Sequence, residues 1–162
     1  MRGFVSYSHH DRKVCEELRK PLKALCRLFP IDEFWIDTAT PTGRCFRRGY
    51  QQAIDQAQIF VLMISSNSMW SDEIMTHEIP AIQTKQNRDG DLILPVVLDD
   101  CLWPAVTGTL LASPRDENLA LKPLTKWKPI QQGINQTGQQ FQKAISDHFN
   151  IQPKQLFHWK SP

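Results

Sequence analysis

A run of six consecutive apolar residues, Ile59–Ile64, constrains the fold of this chain more than any other segment. The run ends in a polar turn, residues 65–68, and a helix-like segment that carries Glu78 follows. An unbroken apolar run of this length, bounded by turn residues, is typical of a strand buried on both faces of a parallel sheet. Open α/β sheets bind ligands just past the carboxyl ends of such strands. We therefore expect Glu78 to be the working carboxylate of a crevice.

Shorter strand-like runs occur at residues 2–7, 34–36 and 92–98, and helix-like segments separate them. Strands that alternate with helices predict a parallel sheet with helices on both faces. For a chain of 162 residues, the pattern favours an α/β flavodoxin-like three-layer fold. Its central parallel sheet would have four or five strands in the order 2-1-3-4-5.

Several single residues make this prediction specific. Asp11 is expected to cap the first helix, and Pro21 to kink it or to restart it near Lys20. Pro95 lies inside the fourth strand, which implies an edge position or a bulge because proline cannot donate a ladder hydrogen bond. A short fifth strand is expected near residues 119–121.

The composition excludes several functional classes. The net charge is +2 and no dense Lys/Arg run occurs, which argues against a nucleic-acid partner. The longest apolar runs fall short of the roughly 20 residues of a membrane span, and no signal peptide is visible. The four cysteines have no metal-ligand spacing and suit a reducing, cytoplasmic location. We expect neither a metal site nor a membrane association.

One domain is expected over residues 1–150, with residues 151–162 forming either a tail or the start of a linker to a further domain. The predicted strand order brings Tyr7, Ser8 and Ser65 to one crevice with the start of the Glu78 helix. The chain has no Gly-x-Gly-x-x-Gly after the first strand and no Gly-Lys-Ser/Thr box. We therefore expect neither a Rossmann cofactor site nor an NTPase site, and no bound cofactor.

Several of these segments, taken in order, resemble TIR (Toll/interleukin-1 receptor) domains. Residues 4–8 (FVSYS) followed by Asp11 resemble the opening box of the family. Residues 35–57 are similar to the second strand, the BB loop and the second helix of bacterial members. Residues 64–78 resemble the third strand and the helix that carries the family's catalytic glutamate. The resemblance covers roughly residues 2–149.

The resemblance implies a five-strand flavodoxin-like fold and, for many bacterial members, hydrolysis of NAD+ to nicotinamide and ADP-ribose or a cyclic isomer. NAD+ is then a substrate and not a cofactor. Catalytic members commonly become active by self-assembly, with the BB loop (residues 38–46 here) completing a neighbour's site. Anti-phage defence signalling is the implied setting, and a sensor domain C-terminal to this chain is an expected partner.

Glu78 matches the family's catalytic glutamate. The candidate substrate contacts around it are Tyr7, Ser8, Trp35, Arg44, Phe46, Ser65, Trp70, Ser71 and Ile74. Many active members carry tryptophan four residues before the glutamate, where this chain has Ile74, so Trp70 is the candidate for the missing aromatic surface. Asp72 and Glu73 are assigned to the helix start, because acidic side chains there meet the positive end of the macrodipole.

Two other functions stay open at this point. A non-catalytic TIR scaffold would recruit partners through the BB loop and the adjoining helices. A receiver-like signalling domain shares the fold, but it needs an acidic cluster after the first strand and an aspartate at the end of the third. This chain has Tyr7-Ser8 and Ser65 at those places, which disfavours a receiver.

Overall fold

The computed structural model describes residues 1–36 and 46–156, without the side chains of residues 46–48. The strands are β1 (Arg2–Ser6), β2 (Glu33–Ile36), β3 (Ile59–Ile64) and β4 (Leu92–Val97). The α-helices are α1 (Arg12–Leu28), α2 (Phe46–Gln56), α3 (Ser66–Trp70), α4 (Ile79–Asp89), α5 (Pro104–Thr107) and α6 (Ile130–Phe149). A π-helical turn, Ile74–Glu78, leads into α4, and single 3-10 turns lie at His9–Asp11 and Leu124–Lys126.

The strands form one sheet in which every described pairing is parallel, in the order β2-β1-β3-β4. The chain runs from β1 to one side of the sheet and from β3 to the other, so the order reverses between these two strands. This is the switch point at which open α/β sheets bind ligands. The predicted flavodoxin-like α/β fold and its strand order are confirmed for the described strands.

The sequence of β3 is apolar without interruption because both faces of this strand are buried. Successive side chains of a strand point to opposite faces of the sheet. Phe60, Leu62 and Ile64 therefore pack in a cluster with residues of α2 and α4. The alternate residues, Ile59, Val61 and Met63, pack on the other face with residues of α1 and α6. All six side chains are buried, and the two hydrophobic layers hold the sheet between them.

α1 is one helix from Arg12 to Leu28, although Pro21 lies inside it. The restart expected near Lys20 is therefore not observed. Proline removes one backbone hydrogen bond of the helix, but Leu18 and Leu22 on either side are buried in the core and hold both halves in place. α6 also packs closely here, since a Cβ at Gly138 would lie 2.8 Å from the Cβ of Pro21.

Asp11 lies at the predicted N-cap position of α1, but the expected capping contact does not form among the described residues. Asp11 precedes α1, but its carboxylate makes no capping hydrogen bond within the described part of the chain. Ser8 instead caps the short 3-10 turn, because its hydroxyl accepts from the backbone N–H of His10. The Asp11 carboxylate is engaged elsewhere, by side chains that follow β3.

Pro95 lies in β4, the strand at one edge of the sheet, as its missing donor requires. The carbonyl of Pro95 accepts from the backbone N–H of Ser113, and the Ser113 carbonyl accepts from Val97, at 2.9 and 2.8 Å. Since the N and O of one strand residue point the same way, the proline nitrogen also faces outward. The edge prediction is confirmed.

The fifth strand expected near residues 119–121 does not form in the described structure. Leu119 has a left-handed backbone, with φ of 61°, and its N–H donates to the carbonyl of Asp116. The Asp116 carboxylate closes this turn by accepting from the backbone of Asn118 and Ala120. The extended residue beside β4 is Ser113 instead. The turn that Asp116 organises therefore prevents the apolar residues around Leu119 from forming a strand.

In the described residues, 1–36 and 46–156, no helix has both the length and the apolar character needed to cross a membrane.

Candidate active site

A cavity of about 350 Å³ opens beyond the carboxyl ends of β1 and β3, at the switch point of the sheet. One part of its wall follows β1, and the other runs from α3 to the end of the π-helical turn. The lining residues are Tyr7, Ser8, His9, His10, Asn67, Trp70, Ser71, Glu73, Ile74 and Glu78. The predicted site residues Tyr7, Ser8, Trp70, Ser71, Ile74 and Glu78 thus lie around one cavity.

Glu78 lines this cavity and is only 9% exposed. The hydroxyl of Ser6, in β1, donates a 2.6 Å hydrogen bond to Glu78 Oε2. Hydrogen bonds to a carboxylate are shorter and stronger than neutral ones. Because β1 lies inside the sheet, this bond fixes the carboxylate against a rigid part of the fold. Glu78 is therefore a partly desolvated carboxylate whose orientation is restricted by a hydrogen bond, beside a cavity large enough for a ligand.

Sequence reasoning missed Ser6. Its signal was a polar residue that directly follows the apolar pair Phe4-Val5 at the end of β1, since buried hydroxyls almost always have a hydrogen-bond partner. Ser6 is 3% exposed, so a partner was required. No local pattern identifies that partner, which lies 72 positions away along the chain.

Glu78 ends a π-helical turn, and Pro80 explains why the turn is there. The N–H of Ile79 donates to the carbonyl of Ile74, five residues earlier, instead of four as in an α-helix. Pro80 has no N–H to give to the Thr76 carbonyl, and its ring would crowd that carbonyl. The extra residue in the turn brings positions five apart onto one side of the helix. Glu73 and Glu78 accordingly both line the cavity.

The two acids assigned to the helix start have different surroundings. Asp72 is exposed and lies outside the described cavity wall, which is compatible with a role only at the start of the helix. Glu73 is half-buried on the wall itself. Its Oε1 is buried and has no hydrogen-bond partner in the described part of the chain. A purely structural role accounts for Asp72, but it leaves this oxygen of Glu73 unexplained.

α3, which carries part of the wall, is held by two aspartates. Asp11 accepts from the Ser65 hydroxyl at 2.5 Å and from the Asn67 side-chain amide at 2.7 Å. Asp99, after β4, accepts from the backbone N–H of Ser66 at 2.9 Å. Ser65 also caps α3 through the backbone N–H of Ser68. Ser65 is 1% exposed and is not among the described lining residues, so its observed role is to fix the wall.

Trp35 lies on a second, much smaller cavity of about 20 Å³, which Glu78 also lines. Its ring stacks on Phe4 with the centroids 5.2 Å apart. Glu78 thus contacts two neighbouring cavities, and Trp35 approaches it from the β2 side. Arg44 and loop residues 38–45 lie outside the described residues, as does the side chain of Phe46.

The aromatic surface at the main cavity comes from Trp70. Its side chain is 90% exposed, although it lines the cavity. Ile74, which occupies the position of the tryptophan common in the family, is only 5% exposed and packs in the core cluster of the α2 and α4 face. On this part of the wall the aromatic side chain is therefore Trp70, at the end of α3, and not the residue at position 74.

Two of the described cysteines, Cys15 and Cys101, are poor candidates for nucleophiles. Burial raises the pKa of the Cys15 thiol from 9.0 to about 12 and that of Cys101 to about 11. Both thiols stay protonated at neutral pH, and the thiolate is the reactive form. No group of three or more His, Cys, Asp or Glu side chains within residues 1–36 and 46–156 is placed to hold a metal ion. Among the groups described at the cavity, the carboxylates of Glu73 and Glu78 and the imidazoles of His9 and His10 remain as candidates for chemistry.

Comparisons with known proteins agree with this geometry. The family model for the TIR domain matches residues 4–125. The chain is also 30% identical over 142 residues to an uncharacterized protein, y4lF, of Sinorhizobium fredii strain NGR234. That alignment covers 87% of this chain and 42% of the relative, so the chain spans less than half of the relative's length. The chain belongs to the TIR domain family.

Proposed function

We propose that this TIR domain is an NAD+ glycohydrolase that cleaves the nicotinamide–ribose bond to give nicotinamide and ADP-ribose or a cyclic isomer. The observation that carries the proposal is the state of Glu78. It is a nearly buried carboxylate, held by the Ser6 hydroxyl, beside a 350 Å³ cavity at the switch point. A glutamate kept only for solubility would be solvated and would need no such partner.

The chemistry needs one carboxylate at the reacting carbon. Nicotinamide carries a positive charge while it is bound to ribose C1′ and leaves as a neutral molecule, so it requires no general acid. Ordinary glycosidases need a second carboxyl group because a sugar alkoxide is a poor leaving group. Positive charge develops on the ribose as the bond breaks. Glu78 would stabilise that charge or attack C1′ directly.

The cavity wall offers suitable contacts for the nicotinamide riboside half of the substrate. The hydroxyls of Tyr7, Ser8 and Ser71 are hydrogen-bonding groups, and Trp70 offers an aromatic face at the rim. A volume of 350 Å³ is at the lower end of ligand pockets and suits part of a dinucleotide. We assign the diphosphate to Arg44, because arginine forms bidentate contacts with phosphate oxygens, and further substrate contacts to Trp35 and Phe46.

We further propose that activity depends on self-assembly, with residues 38–46 of one copy completing the site of a neighbour. We also propose that a further domain, C-terminal to this one in the full protein, senses the trigger. A cytoplasmic location and a role in anti-phage signalling follow from the same proposal, by family analogy.

The test is an NAD+ cleavage assay on native protein and on Glu78→Gln, each fused to an inducible dimeriser so that clustering is imposed. Glu78→Gln should lose a factor of roughly 10² to 10³ or more in rate. Asp72→Asn is the matched control, since Asp72 is exposed on the same helix and outside the described wall. Equal rates for native protein and Glu78→Gln would overturn the catalytic assignment. Self-association without cleavage would favour the scaffold function.

A further inference from the structure

We propose that Glu73 is a second functional carboxylate of the cavity, which accepts hydrogen bonds from the hydroxyl groups of the ribose next to the scissile bond. The inference rests on the proposed function, because it names how the same site would recognise its substrate. It concerns binding and positioning, and the reaction at C1′ stays with Glu78.

The first observation is the unsatisfied oxygen. Glu73 Oε1 is buried and has no hydrogen-bond partner among the described residues. A buried acceptor without a donor costs free energy, and native proteins retain few of them. Glu73 lines the cavity and the terminal torsion of glutamate is broad, so rotation about this torsion can present the carboxylate oxygens to a ligand. A ligand that brings a donor would remove the penalty that the free protein carries.

The second observation is the position of the residue. The π-helical turn Ile74–Glu78 brings Glu73 and Glu78 to the same wall. In a regular α-helix, positions five apart do not face each other. The turn thus adds a carboxylate to the wall that a regular helix would direct away from it. π-helical turns occur frequently at functional sites. Here the turn places two acidic side chains, Glu73 and Glu78, on the same cavity wall.

The charges select the ligand group. Two carboxylates disfavour a phosphate at this end of the cavity, because like charges repel. They favour hydrogen-bond donors and positive charge, and a nicotinamide riboside has both, in its ribose hydroxyls and its pyridinium ring. Glu78 must lie at C1′ to act, so Glu73, on the same wall, is left for the neighbouring hydroxyls. In this orientation the diphosphate of NAD+ lies away from the two carboxylates.

The binding test uses the clustered Glu78→Gln protein, so that the ligand is not consumed. Calorimetry would compare NAD+ with an analogue that lacks the 2′- and 3′-hydroxyls of the nicotinamide ribose. Adding Glu73→Met, a near-isosteric change without a strong acceptor, should weaken NAD+ binding about tenfold and abolish the preference over the analogue. Glu73→Gln keeps one carbonyl acceptor and should restore part of that preference. Asp72→Asn should change neither.

Thermal unfolding of the free protein distinguishes this role from a structural one. Because the substitution removes the buried, unsatisfied Oε1 of the half-buried Glu73, the Tm of Glu73→Met should stay unchanged or rise. A lower Tm together with unchanged NAD+ affinity would mean that Glu73 only supports the helix, and would overturn the inference. Absence of any NAD+ binding would overturn it too. If native protein binds NAD+ and does not cleave it, the glycohydrolase proposal fails, whereas the binding comparison still decides the role of Glu73.

Discussion

The hydroxyl of Ser6 and Glu78 Oε2 are joined by a 2.6 Å hydrogen bond that links the middle of the sheet to the end of the π-helical turn. Both side chains are buried. The bond has two effects on the carboxylate. It limits its rotation, and it replaces one hydrogen bond that water would provide to an exposed glutamate. A carboxylate held in this way needs little reorganisation when charge develops beside it.

Ser6→Ala should therefore lower the rate of NAD+ cleavage by roughly tenfold to a hundredfold, mainly through kcat, because Glu78 loses the donor that orients it. The buried carboxylate also loses a partner, so the free energy of unfolding should fall by about 1–3 kcal/mol. Steady-state kinetics and urea unfolding measure the two effects. Ser6→Thr keeps the hydroxyl and is the matched control. The orienting role is rejected if threonine and alanine reduce kcat equally.

Trp70→Ala should raise KM for NAD+ about tenfold, because a ring that stacks on an aromatic side chain gains on the order of 1–3 kcal/mol. The Tm should stay the same, since the side chain is 90% exposed in the free protein. Trp70→Phe should retain most of the affinity. Ile74→Ala gives the contrasting pattern, with a lower Tm from the lost core packing. A large loss of stability in Trp70→Ala would contradict the proposed role.

Asp11→Ala should destabilise the fold by about 1–3 kcal/mol, because it leaves the buried Ser65 hydroxyl without its 2.5 Å partner. Asn67→Ala should cost less, since the Asn67 amide is exposed and can be hydrated. A double-mutant cycle by urea unfolding separates the contributions of the two contacts. Additivity of Asp11→Ala with Ser65→Ala would show that the Asp11–Ser65 bond does not stabilise the wall.

Stability should fall at alkaline pH because of Cys15. Burial raises its folded-state pKa from 9.0 to about 12, so the unfolded chain loses this proton at lower pH than the folded one. The contribution is fully present below pH 9 and is lost as pH rises toward 12, by at most about 1.4 kcal/mol per pH unit. Urea unfolding between pH 8 and 10.5 measures the slope. Cys15→Ala should have a shallower slope, and an identical slope would assign the loss to other groups.

The features that could be predicted from the sequence are those that depend on a local pattern of residues. The apolar run Ile59–Ile64 identified the central strand, and Pro95 identified an edge strand. The turn around Leu119 was missed because one aspartate, Asp116, organises it through backbone contacts that no periodicity records. The cavity residues on the Glu78 helix were found because they lie near each other in sequence.

The contacts that fix the site could not be read from local pattern. Ser6 meets Glu78, and Asp11 meets Ser65, only after the chain has folded, across separations of 72 and 54 residues. A polar residue in a buried strand or an acid before a helix indicates that some partner is needed, but many residues could supply it. Pro80 is a sequence signal for the π-helical turn because it removes one helical hydrogen bond, but that loss alone does not specify which residues the turn brings to one side.

The outward-facing nitrogen of Pro95 restricts the geometry of any filament built from this domain. Subunits that join by aligning the edges of their sheets need a continuous row of free donors and acceptors. At the β4 edge the proline offers no donor, and Ser113 already uses the neighbouring carbonyl and N–H. A second copy therefore cannot extend the sheet across this side by regular strand pairing. Any assembly of this domain would therefore have to form through a surface other than this edge.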